Sequence, residues 1–238
     1  AIIYGGSGCT GKLIAEFLGE YDIPFTAVGR NKDKVSAAMK LVPGIETADY
    51  DVIEASHDVD SLAEVFRGSK IVCNTVGPFF KFGEIAVQAA LKAGVHYIDT
   101  TGEQAYVLDM KSKYGQAFKD AGLVLSPGSA YMYATQEIAA HIVLEQEGID
   151  SLDSALLASG VPTYGSTQTI FGMFVTDNCF LENNKLVPWE KARAFEVNVP
   201  GRMMTQLGHP WGGGNLPVWF QDDHRVQNVR QLTAFDNR

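Results

Sequence analysis

Residues Gly5-Gly6-Ser7-Gly8-Cys9-Thr10-Gly11 put four glycines into seven positions, between a short apolar run at 1–4 and a segment in which Leu13, Ile14, Phe17 and Leu18 recur at helical spacing. Glycine weakens the interior of a strand or helix, so a cluster this dense marks a sharp turn or a close approach to the backbone. Strand, tight turn and helix are therefore predicted in that order. The cluster satisfies G-x-G-x-x-G from Gly6 and the wider G-x-x-G-x-x-G from Gly5. Either match alone is weak. A strand before it and an amphipathic helix after it give it physical content, because backbone N–H groups and the positive end of the helix then face a pyrophosphate.

The apolar run at 25–28, ahead of Gly29 and Arg30, completes a strand, helix, strand unit of about thirty residues. The alternation continues with a helix over 34–40, a strand near 45–49 and a helix over 61–66 that Asp58 or Asp60 could cap. A strand at 71–73, a helix over 84–93 and a strand at 97–99 follow. Val107, Met110, Tyr114 and Phe118 then mark one helix face before a strand at 123–125. Short strands separated by helices need crossover connections, which implies an α/β fold: a Rossmann-type doubly wound parallel sheet covered on both faces. Ligands of such sheets bind at the carboxyl ends of the strands, so chemistry is expected just after Tyr4, Val28, Asn74, Asp99 and Leu125.

Beyond Pro127 the pattern changes. A helix near 135–146 precedes an apolar run at 152–158, strand-like runs at 195–199 and 218–220, and loops that include Gly212, Gly213 and Gly214. We expect a nucleotide-binding domain over 1–150 and a smaller α+β substrate or dimerisation domain over 151–238; its aromatic, glycine-rich composition could present a homodimer surface.

The formal charge of −9 argues against a nucleic-acid partner, since phosphate-backbone binding is driven by clustered Lys and Arg. Three separated cysteines, Cys9, Cys73 and Cys179, write neither a disulfide framework nor a zinc site, and a reducing, cytoplasmic setting fits them best. No metal-ligand spacing appears among the five histidines. No apolar run approaches the roughly 20 residues of a membrane span, and no basic leader precedes an apolar segment. Ala1 already lies in the first strand and no terminating signal precedes Arg238, so chain could extend beyond either end.

The tip of the second strand decides between dinucleotides. An NAD site usually places Asp or Glu there for the ribose 2′-OH, whereas a 2′-phosphate needs positive charge. Here the tip reads Gly29-Arg30-Asn31-Lys32, with Lys34 close behind, which favours NADP over NAD; otherwise Arg30 is an ordinary solvated charge. Thr75, Val76, Gly77 and Pro78 follow the fourth strand, where the loop passes near the nicotinamide. Thr100 and Gly102 follow the fifth.

Three groups are candidates for a proton donor. Glu103 could serve if burial raised its pKa, although a Glu opening a helix is more often a capping partner. Tyr131 carries a phenol, competing with an ordinary packing role, and His209 precedes the glycine run of the second region. Tyr131 and Tyr133 are followed four residues later by Thr135 and Glu137, not by the Lys that activates tyrosine in short-chain dehydrogenases. A carboxylate clamp for an amino-acid substrate would use arginine, and Arg193, Arg202, Arg225 and Arg230 offer no pattern that singles one out.

On Tyr4 to Lys12, on Val28-Gly29-Arg30-Asn31, on Asn74 to Phe79 with Gly83, and on Asp99-Thr100-Thr101-Gly102-Glu103, the chain resembles the saccharopine dehydrogenase-like NADP-binding family, which includes trans-acting enoyl reductases of lipid and polyketide pathways. The resemblance covers about residues 1–147. It implies a Rossmann domain, NADP(H) and a second domain over the nicotinamide. The expected function is NADPH-dependent reduction of a C=C or C=N bond in a small-molecule or acyl/polyketide substrate. The alternative is a sensor or scaffold that binds NADP(H) without turnover, which the lack of a decisive catalytic group keeps open.

Overall fold

The computed structural model describes residues 1–173, 176–199, 201, 203–210 and 214–235. They form two compact units, Ala1–Thr101 with Asp109–Ser129, and Gly102–Leu108 with Ala130–Arg238.

The first unit runs β1 (Ile2–Tyr4), α1 (Cys9–Glu20), β2 (Phe25–Gly29), α2 (Lys32–Met39), β3 (Tyr50–Glu54), α3 (Val59–Phe66), β4 (Ile71–Asn74), α4 (Phe79–Ala93), β5 (His96–Asp99), α5 (Gln104–Asp120) and β6 (Leu125–Ser126). The first residues of α5 belong to the second unit. Sheet order is β3-β2-β1-β4-β5-β6 with every pair parallel, so the chain builds outward from β1 and then restarts on its other side at β4. The ends of β1 and β4 thus bound the switch point where dinucleotides lie. Ile3, Phe25 and Ala27 of the sheet pack against Ala15, Val35 and Met39 of the helices. Each large apolar side chain so buried contributes roughly 1.5–3 kcal/mol before chain entropy is counted.

The second unit runs α6 (Tyr131–Val143), β7 (Ser151–Ala158), α7 (Tyr164–Met173), β8 (Cys179–Glu182), β9 (Lys185–Pro188), β10 (Phe195–Asn198), β11 (Thr205–His209), α8 (Leu216–Trp219) and β12 (Asn228–Phe235). Its sheet is mixed. β7 lies parallel along the whole of β12, while β10, β11, β12, β8 and β9 pair antiparallel in that order. Ala140 and Leu144 pack with Leu152, Leu181, Leu216 and Val229. The two units meet in sequence at Ser129 and Ala130, and α6 packs on the second core through Ala140, with Leu144 just beyond it, while Ile138 and Ile142 are exposed.

Local expectations were corrected in three places. The strand near 45–49 is a 3-10 turn, Ile45–Thr47, entered through Gly44 at φ 70°, and β3 begins only at Tyr50. The run at 218–220 is helical, with Pro217 in its first turn and Leu216, Val218 and Phe220 all buried; a run buried on every side has no period by which to tell strand from helix. In α1, Ile14 and Leu18 pack on the core, whereas Leu13 and Phe17 are exposed. Trp211 to Gly213 lie outside the described residues. Among the described residues no helix is long and apolar enough to cross a membrane.

Candidate cofactor site

The glycine cluster is held as a tight cradle. Gly5 and Gly6 both donate their N–H groups to the Val28 carbonyl, at 2.9 and 3.1 Å, which clasps the turn to β2. Gly5 has φ 96°, open to glycine but strained for other residues. A Cβ on Gly5 would stand 2.5 Å from Thr75 Oγ1, and one on Gly11 would stand 2.5 Å from the Gly5 carbonyl oxygen. Gly11 is thus what lets α1 start against the turn. Gly8 caps α1 without any side-chain hydrogen bond, and Ser7, Cys9 and Thr10 are exposed around it. An uncapped helix start behind a side-chain-free turn fits a pyrophosphate.

Arg30, Asn31 and Lys34 are exposed at the tip of β2. The Asn31 side chain is already engaged by the fold, since its Oδ1 accepts from Lys34 N at 2.8 Å and caps α2. Glu54, at the tip of β3, accepts from Lys32 N at 2.8 Å. The Lys32 and Lys34 N–H groups are thus engaged, while Arg30 has no carboxylate partner among the described residues. Arg30 stands close enough to Tyr4 and His57 to act on both electrostatically. Burial pushes the Tyr4 phenol up to about 12 against the opposing pull of Arg30. Burial, and then Arg30, lower the pKa of His57. Tyr4 and His57 are joined by a 2.7 Å hydrogen bond.

Thr75 braces the turn. Its N–H and its hydroxyl both donate to the Tyr4 carbonyl, at 2.8 and 3.0 Å, which locks the β4 loop to the end of β1. Val76 lies against Gly5, and Gly77–Pro78 is a cis peptide. Thr100 is half-buried. Gly102 departs from the expected role, since a Cβ there would meet nothing nearer than 3.6 Å, and its carbonyl instead accepts from Tyr133 Oη at 2.8 Å.

The proton-donor candidates differ sharply in setting. Glu103 is 5% exposed and its charge reaches the buried Tyr133 phenol, whose pKa is raised first by burial and then by Glu103. Tyr131 is 62% exposed at the start of α6, and His209 is half-buried on β11 opposite Thr233. Arg193, Arg225 and Arg230 are exposed and paired with Glu190, Asp223 and Asp153, so none is free to clamp a carboxylate; Arg202 lies outside the described residues. Among the described residues no group of His, Cys, Asp and Glu could hold a metal ion. Sequence reasoning missed Glu54, Asn74 and Tyr97; for Asn74 the available signal was a polar residue closing an otherwise apolar strand.

The family described as "Saccharopine dehydrogenase NADP binding domain" matches residues 1–125, more than half of the chain. The chain belongs to this family. Residues 134–238 match a family of unknown function, DUF5938. Among curated relatives, the "Lipid droplet localized protein" of Caenorhabditis elegans is 32% identical over 130 residues, covering 51% of this chain and 30% of that protein. The "Saccharopine dehydrogenase-like oxidoreductase" of Mus musculus is 28% identical over 144 residues, covering 55% and 34%. The matched stretch is thus about a third of each relative's length. Apo saccharopine dehydrogenase (L-Glu forming) of Saccharomyces cerevisiae shares the fold over 98% of this chain and 54% of its own, with a TM-score of 0.57 at 16% identity. The family is one of NADP-dependent oxidoreductases, and its matched domain is the one that binds NADP(H).

Proposed function

We propose that the chain is the catalytic part of an NADPH-dependent reductase acting on a C=C or C=N bond of a small-molecule substrate, acyl and polyketide chains included, in a reducing, cytoplasmic setting. The observation that carries this reading is the pairing of a cradle no Cβ could enter with Arg30, free of any carboxylate partner among the described residues, at the neighbouring strand tip. That combination suits a dinucleotide bearing a 2′-phosphate. When bound, NADPH supplies a hydride to the electrophilic carbon. The protein must then hold the cradle and deliver a proton to the neighbouring substrate atom. Glu103 is the best candidate for that proton: it follows the β5 rim by sequence, and it is shielded from water where Tyr131 is not. A carboxyl at this place would pass a proton to the reduced substrate as a general acid.

The test is titration of NADPH and NADH into wild type and Arg30→Ala, followed by NADPH oxidation in the presence of enoyl and imine substrates. The reading predicts tighter NADPH binding, loss of that preference in Arg30→Ala, and turnover with at least one substrate class. Tight binding with no turnover would leave a nucleotide sensor.

A further inference from the structure

The most heavily built polar feature of the first unit lies along β4 and β5. Asn74, Tyr97 and Asp99 are each fully buried, at the ends or within the last turns of β4 and β5. Asn74 Oδ1 accepts from Val76 N at 2.9 Å, and Asn74 Nδ2 donates to Tyr97 Oη at 3.0 Å. Tyr97 in turn donates to Asp99 Oδ2 at 2.9 Å. Asp99 Oδ1 accepts from Thr101 N at 3.0 Å and Gly128 N at 2.8 Å, while the Asp99 carbonyl accepts from Ser129 N at 2.8 Å. Through these bonds the network reaches backbone N–H groups of the loops that follow β4, β5 and β6.

Burying a carboxylate costs several kcal/mol that hydrogen bonds only partly recover, so apolar residues of similar size would hold the same strands together at lower cost. What such a network supplies is a single geometry. Burial, and then Asp99, push the neighbouring Cys73 thiol up to about 12. A doubly wound sheet takes one mononucleotide in each half. The cradle and Arg30 assign the β1–β3 half to the adenosine 2′-phosphate side, which leaves the β4–β6 half for the nicotinamide mononucleotide.

We propose that Asn74, Tyr97 and Asp99 are positioning residues that set the three rim loops for the nicotinamide half of the cofactor, without contributing to recognition of the adenosine half. The proposal rests on the cofactor reading above, and its test separates the two. Affinities of the full chain for NADPH and for 2′-phospho-ADP-ribose, which lacks only the nicotinamide, are measured in wild type and Tyr97→Phe, together with the fluorescence anisotropy of bound reduced nicotinamide. Tyr97→Phe keeps the ring and removes the hydroxyl that joins Asn74 to Asp99. It is expected to weaken NADPH about fivefold and lower the anisotropy, with 2′-phospho-ADP-ribose unchanged within about twofold. Equal weakening of both ligands, or of neither, overturns the proposal. If Tyr97→Phe does not fold, Asn74→Ala, which frees Val76 N and removes the donor to Tyr97 Oη while leaving the Tyr97–Asp99 bond, is read by the same criteria. Failure of wild type to bind either ligand would instead refute the cofactor reading.

Discussion

The two halves of the nucleotide sheet solve the same problem, holding loops still at strand ends, in opposite ways. In the β1–β3 half the turn is fixed by absence: glycines bring backbone within reach of backbone, and the recognition charge, Arg30, is exposed. In the β4–β6 half the loops are fixed by buried side chains reaching out to backbone N–H groups. The contrast teaches that one half is built to bind and the other to aim. Changes in the first should move affinity for the whole nucleotide, while changes in the second should move the hold on the nicotinamide and, beside it, turnover.

The largest effect is expected beyond the β5 rim. Glu103→Gln keeps shape and burial but removes the proton, so kcat should fall about 10²-fold or more while the Kd for NADPH stays within about twofold. An equal fall in affinity would erase the distinction between aiming and binding. Next comes the cradle. Gly11→Ala forces a Cβ to 2.5 Å from the Gly5 carbonyl, and NADPH affinity measured by calorimetry should drop by an overpacking cost of about 1–3 kcal/mol, ten- to a hundredfold. Arg30→Ala should remove a charge-assisted contact of about 1.5–3 kcal/mol from NADPH binding and leave NADH unchanged. A comparable loss for NADH would show that Arg30 serves the turn and not the phosphate.

The smallest effect is on stability against pH. The pKa of His57 in the folded protein lies below its ordinary value of 6.5, through burial and then the charge of Arg30. The unfolded chain therefore takes up a proton first as pH falls. Stability from this group is complete above about pH 6.5 and is lost on acidification toward the lowered folded pKa. Urea denaturation between neutral and mildly acidic pH should show a shallower loss in His57→Gln than in wild type. Arg30→Ala should also flatten it. An unchanged slope in both variants would mean that other groups carry the acid sensitivity.

Much of the first unit was legible residue by residue. The order of strands and helices, the glycine turn and the cap at Asp58, which accepts from Ser61 N at 2.8 Å, all follow from local periodicity and turn chemistry. The second unit was far less so. The hairpin joining β8 and β9 had a usable sign in Asn183-Asn184, both at positive φ, yet the pairing of β12 with β7 joins residues far apart in the chain with no local trace. Asn31 and Gly102 are expected as cofactor contacts from their place at strand ends, and only folding brings Lys34 N onto Asn31 Oδ1 and Tyr133 Oη onto the Gly102 carbonyl.

The sequence by itself determined the fold class, the phosphate cradle and the preference for a 2′-phosphate, because each depends on neighbours within a few residues or on charge at a known strand tip. Only the tertiary structure decided that α6 belongs to the second core, that Glu54 occupies the start of α2, and that Asn74, Tyr97 and Asp99 form one network. These are contacts between strands and loops that folding alone brings together. Hydrogen-bond partners of a buried polar residue are chosen by which backbone groups the sheet order leaves within about 3 Å, and no periodicity along the chain encodes that choice.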